Sequence, residues 1–487
     1  MPRSSSHTVV VASMFAVFTA CVDDPASDDQ ADDGGSSEAE SGTSEGETEV
    51  GETGESLAPT WHRDIAPLIA EKCSACHREG GIAPFAIGDY TQGAAWAELA
   101  FDAIERGDMP PWGQAATSEC QPRHGFLGDP RFTDEQLELL GAWIEVGKPE
   151  GDPNDAAPLP EPPSLELADA DLRLEMPSDV TVSPGQDQFW CFVVDPEFTS
   201  TQFIDGVQID PGNDAIVHHV LVYVDDSGES ADLADDQGRY ECFGGPGLAE
   251  PRLLAAWAPG SVPSEMPEGV AMDIPAGAKL VVNVHYHPTG VETIDDATAI
   301  DVRFAKNAPQ YFGQLALIGN FEGSIGGGMG LLPGPGDSSD APEFRIPAGS
   351  NDHTETMRIT LPAEVPELKL WLAGTHMHYV GTDMIIGIDR AEPEQGTNID
   401  EECLIQTPNY SFEWQRGYRY DAPLDQVPTL RAGDTLSMRC NYDNSMSNPH
   451  VVDALAEQGL DAPIDVFLGE ETLDEMCLGV FGIAYGL

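Results

Sequence analysis

The sequence predicts a multidomain protein, in which a small all-α domain is followed by two all-β antiparallel sandwich domains of a jelly-roll-like kind. A chain of 487 residues is longer than a single hydrophobic core supports, so several domains are expected. Helix-like stretches are concentrated before residue 150. Beyond it, short apolar runs alternate with Gly, Pro and Asp turns, which is typical of antiparallel sandwiches.

The amino terminus predicts export. Arg3 and His7 precede an apolar run at residues 9–20, which is too short to span a bilayer as a stable helix. The run ends in Phe18-Thr-Ala-Cys21, which resembles the lipobox of bacterial lipoproteins, although Phe18 replaces the usual Leu. An ordinary secretory signal with an incidental Cys is the alternative. We expect a membrane-anchored lipoprotein with its lipid on Cys21, facing the periplasm or the cell surface.

The charge of the chain restricts its partners. Lys and Arg total 22 against 85 Asp and Glu, which gives a formal net charge of -63. Such a surface repels nucleic acid and anionic membranes and attracts cationic partners, although solubility in a salty habitat is an equally good explanation. Residues 22–57 are mostly Asp, Glu, Ser, Gly and Thr. They predict a disordered acidic tether, so membrane contact is expected only through the lipid.

The all-α region contains the motif Cys73-Ser-Ala-Cys76-His77. Two thiols at this spacing attach the vinyl groups of haem covalently, and the adjacent His ligates the iron. A redox-active or zinc-binding Cys pair is the alternative, which the abutting His and the exported context disfavour. The motif therefore predicts one covalent haem c.

A second axial ligand for the haem iron is sought among the nearby residues. Met109 lies before two Pro residues, after the helix-like stretch 96–106, and a thioether ligand would raise the reduction potential. His62 and His124 are the alternatives. With a further helix-like stretch at 133–146, the pattern resembles small c-type cytochrome domains.

A Pro-, Asp- and Ala-rich linker follows the helical region, and predicted strands continue from there to the end of the chain. The Gly-rich stretch 323–336 lacks the Lys-Ser/Thr of a phosphate-binding loop and predicts a surface loop. The expected divisions are a lipoprotein signal peptide at 1–21, the acidic tether at 22–57, a cytochrome c-like haem domain at 58–151, a linker at 152–168, an amino-terminal sandwich at 169–310 and a carboxy-terminal sandwich at 311–487.

Histidines are clustered in the predicted strands. Six of them form three pairs: His218 with His219, His285 with His287, and His376 with His378. Side chains two apart on a strand share a face, so His376 and His378 can chelate one metal. Adjacent side chains point to opposite faces, so a metal shared by His218 and His219 requires a bulge or a strand end. Imidazole-rich sites with a soft Met suit copper.

The three pairs in this order, with Asp-Glu-Met476-Cys-Leu near the carboxy terminus, resemble the copper type II, ascorbate-dependent monooxygenases. This family includes the peptide-amidating hydroxylases and dopamine beta-monooxygenase. The resemblance implies two copper ions, of which the electron-transfer ion is held by His218, His219 and His285. The ion that binds dioxygen is held by His376, His378 and Met476. His287 is then not a ligand, and core packing is the alternative role of Met476.

The same resemblance implies disulfides in the sandwiches. Its expected pairs are Cys440 with Cys477 and Cys191 with Cys242. Cys120 and Cys403 remain, and a bond between them would tie the haem region to the last domain. One residue departs from the family pattern: Gly374 stands where peptide-amidating members carry an Arg for the substrate carboxylate. Peptide amidation is therefore not expected.

The expected activity is hydroxylation of an unactivated or benzylic C–H bond of a small organic substrate with O2. Electrons are expected through the haem, from an ascorbate-like reductant or, given the acidic surface, a cationic cytochrome. The alternative is a copper- and haem-binding electron-transfer lipoprotein without hydroxylase activity. A cell-surface sandwich with an interaction role is a third hypothesis, which has no need of the His ligands.

Overall fold

The computed structural model describes residues 57–79, 83–161, 166–243, 245–258, 261–320, 330–393, 400–469 and 473–486. The predicted signal peptide with Cys21, and the tether at 22–57 up to its last residue, lie outside these ranges, as does much of the Gly-rich stretch 323–336. Within the described ranges no helix is long and apolar enough to cross a membrane.

Short helices form a small cluster near the amino terminus of the described chain. The α-helices of the described ranges are α1 (Ala66–Lys72), α2 (Tyr90–Glu105), α3 (Asp134–Glu145), α4 (Ser230–Leu233) and α5 (Pro449–Glu457). The side chain of Thr133 accepts a hydrogen bond from the Gln136 amide, and the Gln136 side chain accepts one from the Thr133 amide, which fixes the start of α3. Helices α1 to α3 enclose a core that includes Trp61, Leu140 and Trp143.

The prediction of a separate all-α cytochrome c-like domain is wrong. The protein is mostly β, with 36% strand against 14% helix, and the few helices do not make a clear all-α unit. Residues 106–133, which the prediction assigned to that domain, contain no helix. This segment lies instead on the carboxy-terminal sandwich, where the amide of Ala115 donates to the carbonyl of Gln406 (3.1 Å) and the amide of Leu127 to that of Arg419 (2.8 Å).

Aromatic side chains explain why this segment leaves the helices. Trp112 and Phe126 are buried in the core of the carboxy-terminal sandwich. The ring of Trp112 packs edge-on against Tyr418, with 4.9 Å between centroids, and Phe126 stacks on Tyr420 at 5.0 Å. Burial of two large apolar side chains against a sheet stabilises an extended segment without any helix.

Two sandwich-like units make up the rest of the described chain. The strands of the first are β1 (Leu172–Glu175), β2 (Val180–Val182), β3 (Gln188–Val194), β4 (Gln202–Asp210), β5 (Val217–Asp225), β6 (Arg239–Glu241), β7 (Arg252–Trp257), β8 (Ser264–Glu265), β9 (Val270–Ile274), β10 (Lys279–Tyr286), β11 (Thr293–Asp295) and β12 (Ala299–Phe304). A five-stranded sheet in the order β6-β3-β10-β5-β7 faces strands β1, β12, β4 and β9 across an apolar core.

The second unit has the same two-layer form. Its strands are β13 (Tyr311–Asn320), β14 (Arg345–Ile346), β15 (His353–Thr360), β16 (Leu368–His376), β17 (Gly381–Asp389), β18 (Glu401–Thr407), β19 (Gly417–Arg419), β20 (Thr429–Leu430), β21 (Thr435–Tyr442), β22 (Val466–Phe467) and β23 (Cys477–Gly486). A four-stranded sheet, β15-β21-β17-β18, packs on β13, β23, β16 and β19. Burial alternates strictly along β21, as expected for a strand with one face in the core.

One sheet passes through both units. Strands β9 and β13 pair in parallel, with Val270 opposite Tyr311 and Ala271 opposite Phe312. This contact joins the outer layers into a ten-stranded sheet. The two sandwiches are therefore connected by backbone hydrogen bonds as well as by the chain, which holds their facing surfaces in a defined relation.

Three disulfides stabilise the described chain. The two pairs that the family resemblance implied are formed, and so is the pair that the sequence left undecided. The bonded pairs are Cys120 with Cys403, Cys191 with Cys242, and Cys440 with Cys477. The first links residues 283 apart in sequence and fastens the non-helical amino-terminal segment to β18. Disulfides persist in oxidising compartments, so they indicate an exported protein.

Candidate metal centres

His218, His219 and His285 converge at one end of β5 and β10, two inner strands of the first sandwich. Each offers one ligand atom, and these atoms lie within 4.8 Å of one another. The Nδ1 atoms of His218 and His219 are 3.2 Å apart. Imidazole–metal bonds of about 2.0–2.1 Å place two ligand nitrogens at most about 4.2 Å apart, so a small contraction of the cluster would accommodate one ion.

A β-bulge brings the adjacent pair to the same side. On β10 and β5, His285 is opposite His219, but the next residue, Tyr286, is opposite Val217. His218 is thus the extra residue of the bulge, and its side chain is released from the alternation of the strand. The bulge that the sequence required for a shared site is present.

Burial keeps two of these imidazoles neutral. It lowers the pKa of His218 to about 3, and the neighbouring His285 and His287 act in the same direction. Burial, with His285 and His218 nearby, holds the pKa of His219 well below its ordinary value. A neutral imidazole binds a metal ion without first releasing a proton. The buried Nδ1 of His285 has no hydrogen-bond partner, as a ligand atom without its ion would not. The three residues therefore fit a metal.

The carboxylate of Asp187 contacts two histidines, His285 of the cluster and the nearby His287. Its Oδ2 lies 3.5 Å from Nε2 of His285, and its Oδ1 accepts a hydrogen bond from Nδ1 of His287 at 2.8 Å. Burial alone would raise the pKa of Asp187, but its contacts with His285 and His287 outweigh burial and hold that pKa below its usual range. His287 therefore contacts the carboxylate that orients a ligand residue.

His376, His378 and Met476 lie at one end of the inner strands β16 and β23 of the second sandwich. The ring centroids of His376 and His378 are 5.3 Å apart. Strands β16 and β23 are antiparallel, and His376 pairs with Leu478. His378 follows His376 by two residues and Met476 precedes Leu478 by two, so both lie just beyond this end of the strand pair. The amide of His378 donates to Oε1 of Glu475, as does the amide of Met476 (2.7 Å). Met476 is buried.

Hydrogen bonds fix the orientation of both rings. Nδ1 of His376 contacts Oε1 of Gln415, and Nδ1 of His378 lies 3.0 Å from the carbonyl oxygen of Asp474. Acceptors at both Nδ1 atoms place the proton there and leave each Nε2 with a lone pair for a metal. Two such imidazoles with a buried thioether form a donor set suited to copper.

Titratable groups around the second cluster are strongly affected by burial. Burial lowers the pKa of His376, and it lowers the pKa of His378 to about 3, with His376 adding to the effect. Burial raises the pKa of Glu475 to about 8, against the opposing effect of its backbone donors. The hydroxyl of Tyr442 donates to the Met476 carbonyl at 3.0 Å. The imidazoles of His376 and His378 are therefore neutral, and the hydrogen bond from Tyr442 fixes the backbone of Met476.

The ring of Phe412 lies between the two clusters. It stacks on His218 with 5.1 Å between centroids, and it contacts His378 edge-on at 5.6 Å. Phe412 belongs to a single helical turn, Phe412–Trp414, that precedes β19. The carbonyl of Phe412 also accepts a hydrogen bond from Nε2 of Gln415 at 2.9 Å. One short segment thus contacts both histidine clusters.

The haem-attachment motif follows α1. Cys73 and Cys76 are free, half-buried thiols. Burial raises the pKa of Cys73 to about 12 and also raises that of Cys76, where the Arg416 guanidinium partly offsets the effect. Nδ1 of His77 lies 3.1 Å from the Phe85 carbonyl, which leaves Nε2 for an iron ion. Free thiols and an oriented imidazole fit covalent haem.

The candidates for the second axial ligand lie in different surroundings. Met109 is 38% exposed. Nε2 of His124 lies 2.9 Å from the Gln426 carbonyl, so His124 is on the carboxy-terminal sandwich with its segment. Nε2 of His62 lies 3.6 Å from Glu150. The structure does not bring any of the three to His77 by a described contact, and Met109 stays a prediction.

Gly374, the departure from the family pattern, is closely covered. A Cβ at this position would lie 3.0 Å from the Arg416 carbonyl and 3.4 Å from a Val480 carbon. A side chain here would require β19, which pairs with β16 through Gly417, to shift by a few tenths of an ångström. Gly therefore fits this position without strain, whereas a Cβ would be tightly packed.

Several residues of the two clusters were missed in the sequence. Asp187 and Gln415 stand in loops, and Phe412 in a single helical turn, without a recognisable motif, and only the fold brings them to the histidines. Glu475 is part of the quoted Asp-Glu-Met476 motif, so its adjacency to a candidate ligand was a usable signal.

Comparisons with known proteins add little. No family model matches the sequence, and no curated protein matches it. A peptide-N(4)-(N-acetyl-beta-D-glucosaminyl) asparagine amidase structure is 12% identical over 64% of this chain and 96% of its own, with a TM-score of 0.25. PNGase F, a glycosylasparaginase from Flavobacterium meningosepticum, is 12% identical over 65% of this chain and 96% of its own, with a TM-score of 0.25. The major capsid protein P2 of bacteriophage PM2 is 9% identical over 65% of this chain and 97% of its own, with a TM-score of 0.21. TM-scores this low support no argument about function.

Proposed function

We propose that this protein is a copper-dependent monooxygenase that hydroxylates a C–H bond of a small organic substrate with O2. The observation that carries the proposal is the pair of histidine clusters with different donor sets, one with three imidazoles and one with two imidazoles and a thioether, on either side of Phe412. The order of these residues along the chain resembles that of the copper type II, ascorbate-dependent monooxygenases.

The three-histidine cluster is assigned to electron transfer. His218, His219 and His285 would hold one copper ion through nitrogen atoms alone. Asp187 orients His285, and the bulge at His218 fixes the geometry in the strand. Ligands held by a strand pair and a carboxylate move little when the charge of an ion changes, which favours one-electron exchange.

The cluster with Met476 is assigned to the chemical step. His376, His378 and Met476 would hold the second copper ion, which would supply reductive activation of O2 for hydroxylation of an unactivated or benzylic C–H bond. Gln415 and the Asp474 carbonyl hold the imidazole protons at Nδ1. The Phe412 ring contacts His378 edge-on, with 5.6 Å between centroids, and would thereby limit access of water to this imidazole.

The protein is proposed to act on a substrate without the carboxylate that peptide-amidating members bind. Gly374 replaces the Arg that binds the carboxylate in peptide-amidating members of the family. The Arg416 carbonyl lies only 3.0 Å from where a Cβ would stand at this position, which disfavours a side chain there. A small organic molecule without a terminal carboxylate is the better candidate.

A covalent haem is proposed on Cys73 and Cys76, with His77 as one axial ligand and Met109 as the other. It would supply one-electron transfer from an external reductant, either ascorbate-like or a cationic cytochrome. The net charge of -63 favours the cationic partner, because ascorbate is itself an anion. Anchoring by a lipid on Cys21 would hold the protein at the membrane.

The test is oxygen incorporation by copper-loaded protein. Purified protein with a reductant is supplied with ¹⁸O2 and a panel of compounds with benzylic or unactivated C–H bonds, and products are analysed by mass spectrometry. The proposal predicts one labelled oxygen atom in a product and no product from the Met476→Ile variant. Reductant oxidation without labelled product across the panel would favour an electron-transfer protein instead.

A further inference from the structure

We infer that Phe189 raises the reduction potential of copper in the three-histidine cluster by covering one face of the His285 ring. Phe189 is then a positioning residue for that ion and not one of its ligands. The inference rests on the proposed function, because it requires copper at this cluster. It adds Phe189, with its neighbour Phe243, to the residues that determine how readily the centre accepts an electron.

The ring of Phe189 is stacked on the ring of His285. The two centroids are 4.3 Å apart, and the ring planes differ by only 12°. The pairing of strands β3 and β10 creates this contact, because Phe189 and His285 are directly opposite each other in the antiparallel register. Opposite residues on neighbouring strands project from the same face of the sheet and contact each other. The stack is therefore built into the sheet.

Hydrogen bonds do little to fix the plane of the His285 ring. Neither ring nitrogen of His285 has a hydrogen-bond partner among the described residues. The contact of its Nε2 with Asp187 is 3.5 Å, which is long for a hydrogen bond. The rings of His376 and His378, by contrast, each have an acceptor at Nδ1. Stacking on Phe189 therefore orients His285 as hydrogen bonds orient the histidines of the other cluster.

A second aromatic ring holds Phe189 in place. Phe243 contacts it edge-on, with 5.0 Å between centroids, and the amide of Cys242 donates a hydrogen bond to the Phe189 carbonyl at 3.2 Å. Cys242 is bonded to Cys191, which lies two residues beyond Phe189 on β3. The disulfide thus ties the segment of Phe243 to the strand of Phe189. His285 is 8% exposed and Phe243 is 50% exposed, so the three rings run from the cluster to the surface.

An apolar cover on a ligand changes the balance between the two oxidation states of copper. With neutral imidazole ligands, a Cu(II) centre carries one more positive charge than a Cu(I) centre, so removal of water disfavours Cu(II) more. The apolar surroundings of a metal site control the access of solvent and thereby its reduction potential. Phe189 keeps water from one face of His285, which favours Cu(I) and raises the potential. The centre becomes a better acceptor of an electron from the proposed haem.

The experiment measures the reduction potential of this centre in the full-length chain. Every variant is made in a His376→Ala background, so that only the three-histidine cluster holds copper, and copper content is measured. Anaerobic redox titration is followed by the electron paramagnetic resonance signal of Cu(II). Phe189→Leu keeps an apolar side chain but removes the ring. We expect it to weaken Cu(I) binding about 10-fold relative to Cu(II) binding, which lowers the midpoint potential by about 59 mV.

Three further variants separate stacking from indirect effects. Phe189→Tyr keeps the ring and should retain the potential of the background chain. Phe243→Leu removes the support of Phe189 and should lower the potential by a smaller amount than Phe189→Leu. Phe198 lies in the same sandwich and contacts Phe304 edge-on at 5.8 Å, but no ring contact joins it to a histidine of the described chain. Phe198→Leu is therefore the matched control and should leave the potential unchanged.

The outcomes separate the role of Phe189 from the proposed function. If Phe189→Leu binds copper and has the potential of the background chain, the inference is wrong and the copper assignment is unaffected. The inference is also wrong if Phe198→Leu lowers the potential as much, or if Phe189→Tyr lowers it as much as Phe189→Leu. A background chain that binds no copper would overturn the three-histidine copper site, and this inference with it.

Discussion

The ring of Phe412 stacks on the ring of His218 with 5.1 Å between centroids and 24° between planes. His218 belongs to the first sandwich and Phe412 to the second, so the contact joins the two histidine clusters across the interface. The separation between the clusters is therefore set by an aromatic side chain as well as by the shared sheet.

Replacing Phe412 tests the importance of this contact. Phe412→Leu removes the ring but keeps an apolar side chain, so both copper ions should stay bound. Misplacement of reacting groups by about 1 Å can cost about 100-fold in rate, and we expect turnover to fall by about 10-fold to 100-fold. Pulsed electron paramagnetic resonance would measure the Cu(II)–Cu(II) distance. Phe412→Tyr, which keeps the ring, should preserve both distance and rate; wild-type turnover in Phe412→Leu would show that the ring has no functional role.

Asp187→Asn tests the support of the three-histidine cluster. The amide loses the negative charge beside His285 and His287. Loss of such a partner costs about 10- to 100-fold in metal affinity, so competition with a copper chelator should release one ion at a lower chelator concentration. The second ion, proposed to be held by His376, His378 and Met476, should be released as in the wild type. Equal release of both ions would contradict the assignment of Asp187.

Glu355 gives a prediction on pH and stability. Burial raises the pKa of this carboxyl, although the His353 hydrogen bond opposes the shift. The unfolded chain gives up the proton near about pH 4.3, whereas the folded chain retains it to higher pH. Between these two values the unfolded state binds fewer protons, so the free energy of unfolding contributed by Glu355 falls as pH rises, by about 1.4 kcal/mol per pH unit.

Glu355→Gln should remove that fall. Urea unfolding at a series of pH values would give the difference in unfolding free energy between variant and wild type. We expect the difference to be constant below about pH 4.3 and to shift in favour of the variant above it. A difference that does not change with pH would show that the Glu355 pKa is not raised in the folded protein.

Met109→Ala tests the second axial ligand of the haem. A Met–iron bond in the ferric protein gives a weak charge-transfer band in the far red, and the variant should lack it. Because Met109 is 38% exposed, its loss should leave the fold intact, which circular dichroism would verify. A band that persists in the variant would exclude Met109 as the ligand that produces it.

Strand periodicity predicted much of the candidate sites. The alternation of side chains required a bulge for His218 and His219, which β5 and β10 provide. It also predicted His376 and His378 on one strand face, but β16 ends at His376, and the segment that follows brings the two rings within 5.3 Å. These features are local, so a single sequence contains them. The disulfide partners of Cys191 and Cys440 followed from the family resemblance and are formed.

Contacts between distant segments were beyond the sequence. The predicted all-α domain failed because Trp112 and Phe126 pack into the core of the carboxy-terminal sandwich, and no local pattern in the sequence reveals that contact. Gln415 and Asp187 are loop residues whose partners are 39 and about a hundred positions away. Only the assembled fold makes them neighbours.

The central claim is that the chain binds two copper ions with different ligands. Elemental analysis of purified protein, combined with X-ray absorption at the copper edge in the Cu(I) state, measures this directly. The account predicts two copper ions per chain and a sulfur scatterer that disappears in Met476→Ile, while His219→Ala loses one ion and keeps the sulfur. Protein that binds no copper, or whose sulfur signal is unchanged in Met476→Ile, would contradict the account.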